Sequence, residues 1–426
     1  MKSYKELTGR YLKTQKKRTI LTIIGIILSV ALISAIGTMI VSFREVLIEE
    51  IIEERGNWHI QFTKVKGDKV NLVKNNVNIE DAATTCEIGV SPIAKTPEEE
   101  KEMDESTPPY TYLVIQGYDN DAFEMLPVNI KEGRKPEAPG EIAVEYWTLD
   151  LIPGNPKLGD KVPLDVGVRR GKVRVEPDLE DRENSEESFE THIVRSGIHL
   201  EDEEVFQAQG TKEYTIVGLI QPRFEWSPNY FPSAIEYIDN KSMPIDREYT
   251  VHSTMKVIKD AQNKGETIAE AAGLEKIETD EGYGYPIEYN NRLLSLYSES
   301  ILTHFNKTLQ AILIFIIAII VIATIAVIYN AFNISVLERI SQFGVLRSVG
   351  ASPKQIKGMV IREALIVSAI GIPIGLFSGV FAMKVVIFSI KKMGFELLDN
   401  LNIIVDPMVF LVSSLIGLIT VYLSAL

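Results

Sequence analysis

A membrane α-helical bundle of four transmembrane helices, with a large extracytoplasmic α+β domain inserted between the first and second spans, is the fold class this sequence predicts. Three observations predict it. Four blocks, Ile20–Phe43, Leu309–Ile334, Ala364–Met383 and Pro407–Leu426, contain no charged residue. Each reaches the roughly 20 residues that a helix needs to cross a bilayer. Charge is also partitioned: residues 44–332 carry 52 of the 58 acidic side chains but only 29 of the 44 basic ones. That same long segment holds short β-rich runs bounded by Gly, Pro and Asp, the punctuation of strands and turns. A buried soluble core could account for one such apolar block, but not for four.

Residues 1–18 are expected to form a cytoplasmic amphipathic helix. "SYKELTGRYLKTQKKR" gathers Tyr4, Leu7, Tyr11 and Leu12 on one side of a helix and basic residues on the other, which suits the inner membrane face. A solvated basic lead-in is the alternative. Residues 19–43 follow as the first span, too long for the roughly 7–15-residue apolar region of a signal peptide. The domain at 44–308 is framed by stalk helices. "REVLIEEIIEERG" continues the helical repeat through Val46, Leu47, Ile51 and Ile52 and stops at Gly56, and "NNRLLSLYSESILTHFNKTLQ" leads into the second span at 309–334. An elbow at 335–362, a third span at 363–389, a short outer loop at 390–406 and a fourth span at 407–426 complete the order. Orientation follows from the basic residues: Lys2, Lys5, Arg10, Lys13, Lys16, Lys17 and Arg18 at the start, and Arg339, Arg347, Lys354, Lys357 and Arg362 in the elbow, belong inside. The acidic domain is then outside.

Within the domain, "YTYLVIQGY", "GEIAVEYW", "GDKVPLDVGV", "GKVRVEP" and "KEYTIVGLIQP" read as strands, and "DAQNKGETIAEAAGLEK" as a helix. "TPEEEKEMDEST" and "EPDLEDRENSEESFE" read as solvated loops. Cys86 is the only cysteine, so the domain holds no internal disulfide and must stabilise itself by burying a core. His59, His192, His199, His252 and His304 lack metal-ligand spacing. No G-x-x-x-x-G-K-[ST], G-x-S-x-G or H-E-x-x-H pattern occurs. No catalytic, cofactor-binding or metal residue is therefore assigned, and the chain is expected not to be an enzyme. "FEWSPNYFPSAIEY" offers Trp226, Tyr230 and Phe231 as a candidate ligand loop, against the plainer reading that its aromatics pack on a sheet. In the third span Gly371, Gly375 and Gly379 recur every four residues, a face on which another helix can approach closely. That helix belongs either to the same bundle, the preferred reading, or to a second chain. Pro373 can bend the same helix.

The elbow reads "ERISQFGVLRSVGASPKQI". Val336–Val349 is expected as a helix, with Gly350 as its left-handed stop. Ser352 is positioned to cap the next helix, and Pro353 sits in its first turn, where a missing N–H costs nothing. Leu337, Ile340, Phe343, Gly344 and Leu346 offer an apolar surface with a gap, bordered by Arg339 and Arg347. A plain connecting loop needs no such shape, so the elbow is read as a docking part for a cytoplasmic partner.

Here the sequence resembles the FtsX/MacB-like permeases of ATP-binding cassette (ABC) transporters. "LERISQFGVLRSVGASPKQI" is the most specific piece, and "IQGYDNDAFEMLPVNIKEGRKPEAPGEIAV…LGDKV…YTIVGLI" is similar to the family's extracytoplasmic core. The resemblance implies a bacterial cytoplasmic (inner) membrane location. It also implies a separate cytoplasmic ATPase that binds ATP-Mg, and a second permease chain or second permease half. No cofactor is expected in this chain, and no nucleic-acid partner. Glu338, Arg339, Phe343, Gly344, Arg347 and Gly350, with Pro353 opening the next helix, would carry the coupling. ATP-driven movement would be passed to the outer domain (mechanotransmission), in export of peptides or lipids, lipoprotein handling or antimicrobial-peptide resistance. The alternatives are an FtsX-like regulator that activates an extracytoplasmic cell-wall hydrolase, and a plain receptor, against which the elbow argues. The chain ends at "VYLSAL", where the family usually continues with a short basic tail beginning Pro-Ala. A truncated chain or the first half of a longer permease is expected.

Overall fold

The structure, a computed structural model, describes residues 16–94, 110–175, 188–194, 205–221, 231–240, 243–279, 282–298, 307–338, 340–392 and 402–425. The expected amphipathic segment up to residue 15, the acidic run 96–107, Trp226, Tyr230 and Arg339 lie outside the described residues. The chain divides into two compact units, Ile51–Ser298 and Met1–Glu50 with Glu299–Leu426.

Helix α1 (Lys16–Arg55) runs through the first apolar block and into the expected stalk. It stops where Gly56 turns to a φ of 93°. The unit that follows is built on β1 (Ile60–Lys66), α2 (Gly67–Lys74), β2 (Ile79–Ala94), β3 (Tyr110–Tyr118), α3 (Ala122–Met125), β4 (Ile130–Gly133), β5 (Glu141–Glu145), β6 (Lys161–Val175), β7 (Ser188–Val194), β8 (Val205–Ile220), β9 (Ser233–Tyr237), β10 (Glu248–Met255), α4 (Ala261–Ala271), β11 (Ile277–Thr279), β12 (Gly282–Gly284), β13 (Ile287–Tyr289) and α5 (Asn291–Ser298).

Eleven of these strands form one mixed sheet in the order β13-β1-β10-β2-β3-β9-β5-β8-β6-β7, with β4 added on β8. The β3–β9 and β5–β8 pairs are parallel; the other pairs are antiparallel. The ladder also returns on itself, because β6 meets β2 at Gly167 and Val90. Strands β2, β3, β9, β5, β8 and β6 therefore form a closed ring, which leaves no exposed edge among them. One apolar core draws on all six, with Ile93, Leu113, Ala234, Ile142, Tyr214 and Leu164 among its members. Two glycines permit the closure: a Cβ at Gly89 would stand 2.6 Å from the Gly167 carbonyl oxygen, and one at Gly167 would stand 2.2 Å from that of Gln207. Beyond the ring, β1 and β10 with the start of β2 set Phe62, Val251 and Ala82 against Val70 and Val73 of α2 and Ile268 of α4 in a second core.

Two readings of strand pattern change here. The runs "GDKVPLDVGV" and "GKVRVEP" are one continuous strand, β6, since pairing with β8 carries the ladder through Gly167 and pairing with β7 carries it on through Gly171. The end of the expected loop "EPDLEDRENSEESFE" is the start of β7, which pairs with β6 from Val175↔Ser188 onward.

The other unit holds the N-terminal part of α1 with α6 (Lys307–Glu338), α7 (Ile340–Ser348), α8 (Pro353–Lys391) and α9 (Pro407–Ser424). Among the described residues three helices, Thr19–Arg55, Pro353–Lys391 and Pro407–Ser424, are long and apolar enough to cross a membrane, and α6 carries an apolar run at Phe315–Asn330. All four long helices contribute to one core: Ile26 and Val30, Ile328, Val367 and Leu376, and Val421. Outward, Phe377, Phe381 and Phe388 of α8 and Leu411, Leu415 and Leu423 of α9 stay exposed, the reverse of a water-soluble bundle. Inside, hydroxyl residues recur, including Ser34, Thr38, Ser42, Ser368, Ser413 and Thr420. Two of them bond within their own helix: Ser368 Oγ donates to the Ala364 carbonyl at 2.8 Å and Thr420 Oγ1 to that of Ile416 at 2.6 Å. Such bonds let small polar groups line close helix contacts in lipid.

Candidate functional site

The elbow is a helix, a left-handed turn and a capped helix. Helix runs to Glu338 in α6 and from Ile340 in α7, on either side of Arg339. At the far end of α7 the amides of Gly350 and Ala351 donate to the carbonyls of Arg347 and Leu346 at 3.0 and 2.9 Å. These bonds satisfy carbonyls that a helix end otherwise leaves open, and they need the next residue in the left-handed region. Gly350 occupies it, at φ 100°. Two residues later the chain turns into α8 through a complete capping box. The Gln355 amide donates to Ser352 Oγ at 3.3 Å, the Ser352 amide donates to Gln355 Oε1 at 2.9 Å, and Pro353 is in the first turn. The sequence reading named Ser352 and Pro353 but missed Gln355, which the S-x-x-Q spacing signals.

What the elbow presents differs in part from expectation. Ile340, Val345 and Val349 are 63, 65 and 82% exposed, and Leu337 is exposed too. Phe343 instead turns inward and is 9% exposed, so it supports the elbow rather than facing outward. Val345 and Val349, which helical spacing alone did not single out, join Leu337 and Ile340 as the outward apolar residues. A Cβ at Gly344 would meet nothing within 4 Å, so the gap on this helix is open. Arg347, Lys354 and Lys357 are exposed around it. Four large apolar side chains beside three cations make a surface suited to a partner with an apolar groove and acidic rim.

Gly371, Gly375 and Gly379 face α1. Cβ atoms placed on them would stand 2.8 Å from Ile26 Cγ2, 2.8 Å from Val30 Cβ and 2.5 Å from the Ala31 carbonyl oxygen. Ser34 Oγ of α1 donates to the Leu376 carbonyl at 3.3 Å in the same interface. Of the aromatic segment, Phe231 is described, and it packs locally: the Tyr112 ring lies 6.0 Å away edge-on and the Arg169 guanidinium 4.8 Å from its centroid.

Buried charge in the extracytoplasmic-type unit is structural. Glu145 accepts from Trp147 Nε1 at 2.8 Å and from Ser233 Oγ at 2.8 Å. Asp119 accepts from Lys74 at 2.9 Å and caps the Ala122 amide at 2.8 Å. Among the described residues no group of three His, Cys, Asp or Glu side chains could hold a metal. His59 is buried and its Nδ1 accepts from the Met255 amide at 2.8 Å; burial lowers its pKa to about 4. Burial pushes the Cys86 thiol up, with Arg247 opposing.

Two family models match the chain. The MacB-like periplasmic core domain covers residues 19–176, and the FtsX-like permease C-terminal domain covers 314–426, which includes the elbow. No curated protein matches. Among solved structures, the extracellular domain of the noncanonic ABC-type transporter YknZ from Gram-positive bacteria is 10% identical with a TM-score of 0.29, covering 55% of this chain and 100% of that one. The periplasmic region of MacB from Actinobacillus actinomycetemcomitans is 9% identical with a TM-score of 0.32, covering 59% and 98%.

Proposed function

We propose that this chain, an FtsX/MacB-like ABC transporter permease with a large extracytoplasmic domain, couples a separate cytoplasmic ATPase to work done by that domain. The elbow carries this reading. Its caps fix the direction of α8, and it offers exposed Ile340, Val345 and Val349 beside Arg347. An ATPase seated there would pull on α8, whose glycine face is closely fitted to α1. Helix α1 has 40 residues, about 60 Å at 1.5 Å per residue and roughly twice the ~30 Å of a bilayer core, so it is long enough to carry displacement beyond the lipid. In this proposal α1, α6, α8 and α9 are the four spans of a bacterial cytoplasmic membrane protein, with the elbow inside. A second permease chain or half completes the pair, and the exported cargo is a peptide or lipid.

Copurification with an ATPase that carries a Walker A motif, sought first in the neighbouring reading frame, tests the reading. Gly344→Trp should obstruct the open face without disturbing the fold, and Arg347→Glu should reverse a contact charge. A desolvated charged contact is worth about 2 kcal/mol or more, roughly 30-fold in affinity. Both variants should insert normally yet lose the ATPase and its stimulated turnover together. Wild-type complex yield and turnover in both would remove the main support for the proposal.

A further inference from the structure

A cleft of about 560 Å³ opens on the Ile51–Ser298 unit, within the size range of small-ligand sites. Part of its wall is apolar: Ile88, Val166, Ile238 and Met243 line it and are each only half-buried. Two cations, Lys212 and Arg247, line the same space. They differ in how they are neutralised. Lys212 Nζ donates to Glu236, a carboxylate 3% exposed that also accepts from Tyr214 Oη at 2.9 Å and from the Gly140 amide at 3.2 Å. Both oxygens of Glu236 are thereby engaged. Asp239, also on the lining, has an interaction of its own.

Arg247 is half-buried and forms no ion pair among the described residues. Its guanidinium is turned toward the Cys86 thiol, a weak acceptor. A half-desolvated guanidinium with most of its donors unused attracts a carboxylate or phosphate. The aliphatic wall beside it favours an apolar body on the same molecule. We propose that this cleft binds an anionic amphiphile, with its head on Arg247 and its tail against Ile88, Val166, Ile238 and Met243. A free cationic or purely hydrophilic ligand would forgo one of the two surfaces. The chemistry is shared by a soluble short-chain amphiphile and by a lipid drawn from the bilayer.

The test uses the full chain in zwitterionic nanodiscs, titrated calorimetrically with octyl phosphate against a subtraction of empty discs. Saturable binding is expected, with inorganic phosphate and octyltrimethylammonium each weaker by about tenfold or more. Arg247→Gln should weaken octyl phosphate by about tenfold, the order expected for loss of one charged hydrogen bond. Gly210→Trp supplies an independent check. Gly210 lines the cleft and a Cβ there meets nothing within 4 Å, so the bulky residue should block the ligand without disturbing the fold. Competition by phosphatidic acid placed in the disc assigns the ligand to the bilayer, and its absence assigns it to solution. Binding of octyl phosphate unchanged in both variants, or matched by octyltrimethylammonium, overturns the proposal.

Discussion

Alanine at Gly379 and alanine at Gly344 should move stability in opposite directions, although both replace a helical glycine in the same unit. Each gains up to about 1 kcal/mol from helix propensity, because alanine gives up less backbone freedom. The packing terms differ. At Gly379 the new Cβ stands 2.5 Å from the Ala31 carbonyl oxygen and 2.9 Å from Ser34 Cβ, and a backbone carbonyl cannot rotate away as a long side chain can. Forcing α8 off α1 by a methyl's width is overpacking, which costs about 1–3 kcal/mol. The net effect at Gly379 is a loss of up to ~2 kcal/mol. At Gly344 nothing lies within 4 Å, so the propensity gain stands alone. The two variants should therefore differ by ~1–3 kcal/mol. A unit of this size shifts by roughly 2–4 °C per kcal/mol, which places the two apparent Tm values about 5 °C apart. Thermal unfolding followed by detergent-solubilised monodispersity, at one heating rate, reads this directly. Equal Tm values for the two variants would show that the α1–α8 contact has slack the structure does not contain.

Two further outcomes follow from particular groups. His59 protonates in the unfolded chain near 6.5 but resists in the fold until about 4, so the stability it confers is complete above pH 6.5 and is lost as pH falls toward 4. His59→Asn keeps an acceptor for the Met255 amide and should flatten that part of the pH–Tm curve; parallel curves would refute the assignment. Topology is read with a membrane-impermeant thiol reagent on intact protoplasts. Cys86, buried and with its thiol pushed up, should label from outside only after mild denaturation, while exposed Ser341→Cys should label only once the membrane is opened. Labelling of Ser341→Cys from outside would invert the orientation.

Features whose cause is local were legible in the sequence. A bilayer-length apolar block is a property of consecutive residues. The turn of the elbow is equally local, because Gly350 supplies the left-handed conformation, Ser352 the cap and Pro353 the first turn within a few residues of one another. The strand runs at Tyr110–Tyr118 and Glu141–Glu145 were also visible, as alternating apolar residues between breakers. Strand β2 was not: "IEDAATTCEIGVSPIA" mixes polar residues with Gly89 and Pro92, and its extended form is imposed by β10, β3 and β6 around it. Which strands lie parallel, and that the ring closes where Gly89 meets Gly167, depend on partners distant in sequence. The same holds for the sites. The glycine repeat of α8 announced a close helix contact, but only packing chose α1 as the neighbour. Helical spacing placed Phe343 on the apolar surface of the elbow, while the fold turned it inward and left Val345 and Val349 outside. The pairing of Lys212 with Glu236, beside an Arg247 that has no ion pair among the described residues, joins residues whose neighbours in the chain say nothing of one another. Turns, caps and spans arise from near-neighbour sterics and solvation, whereas register, burial and charge pairing are settled by competition among all the surfaces that the chain can bring together.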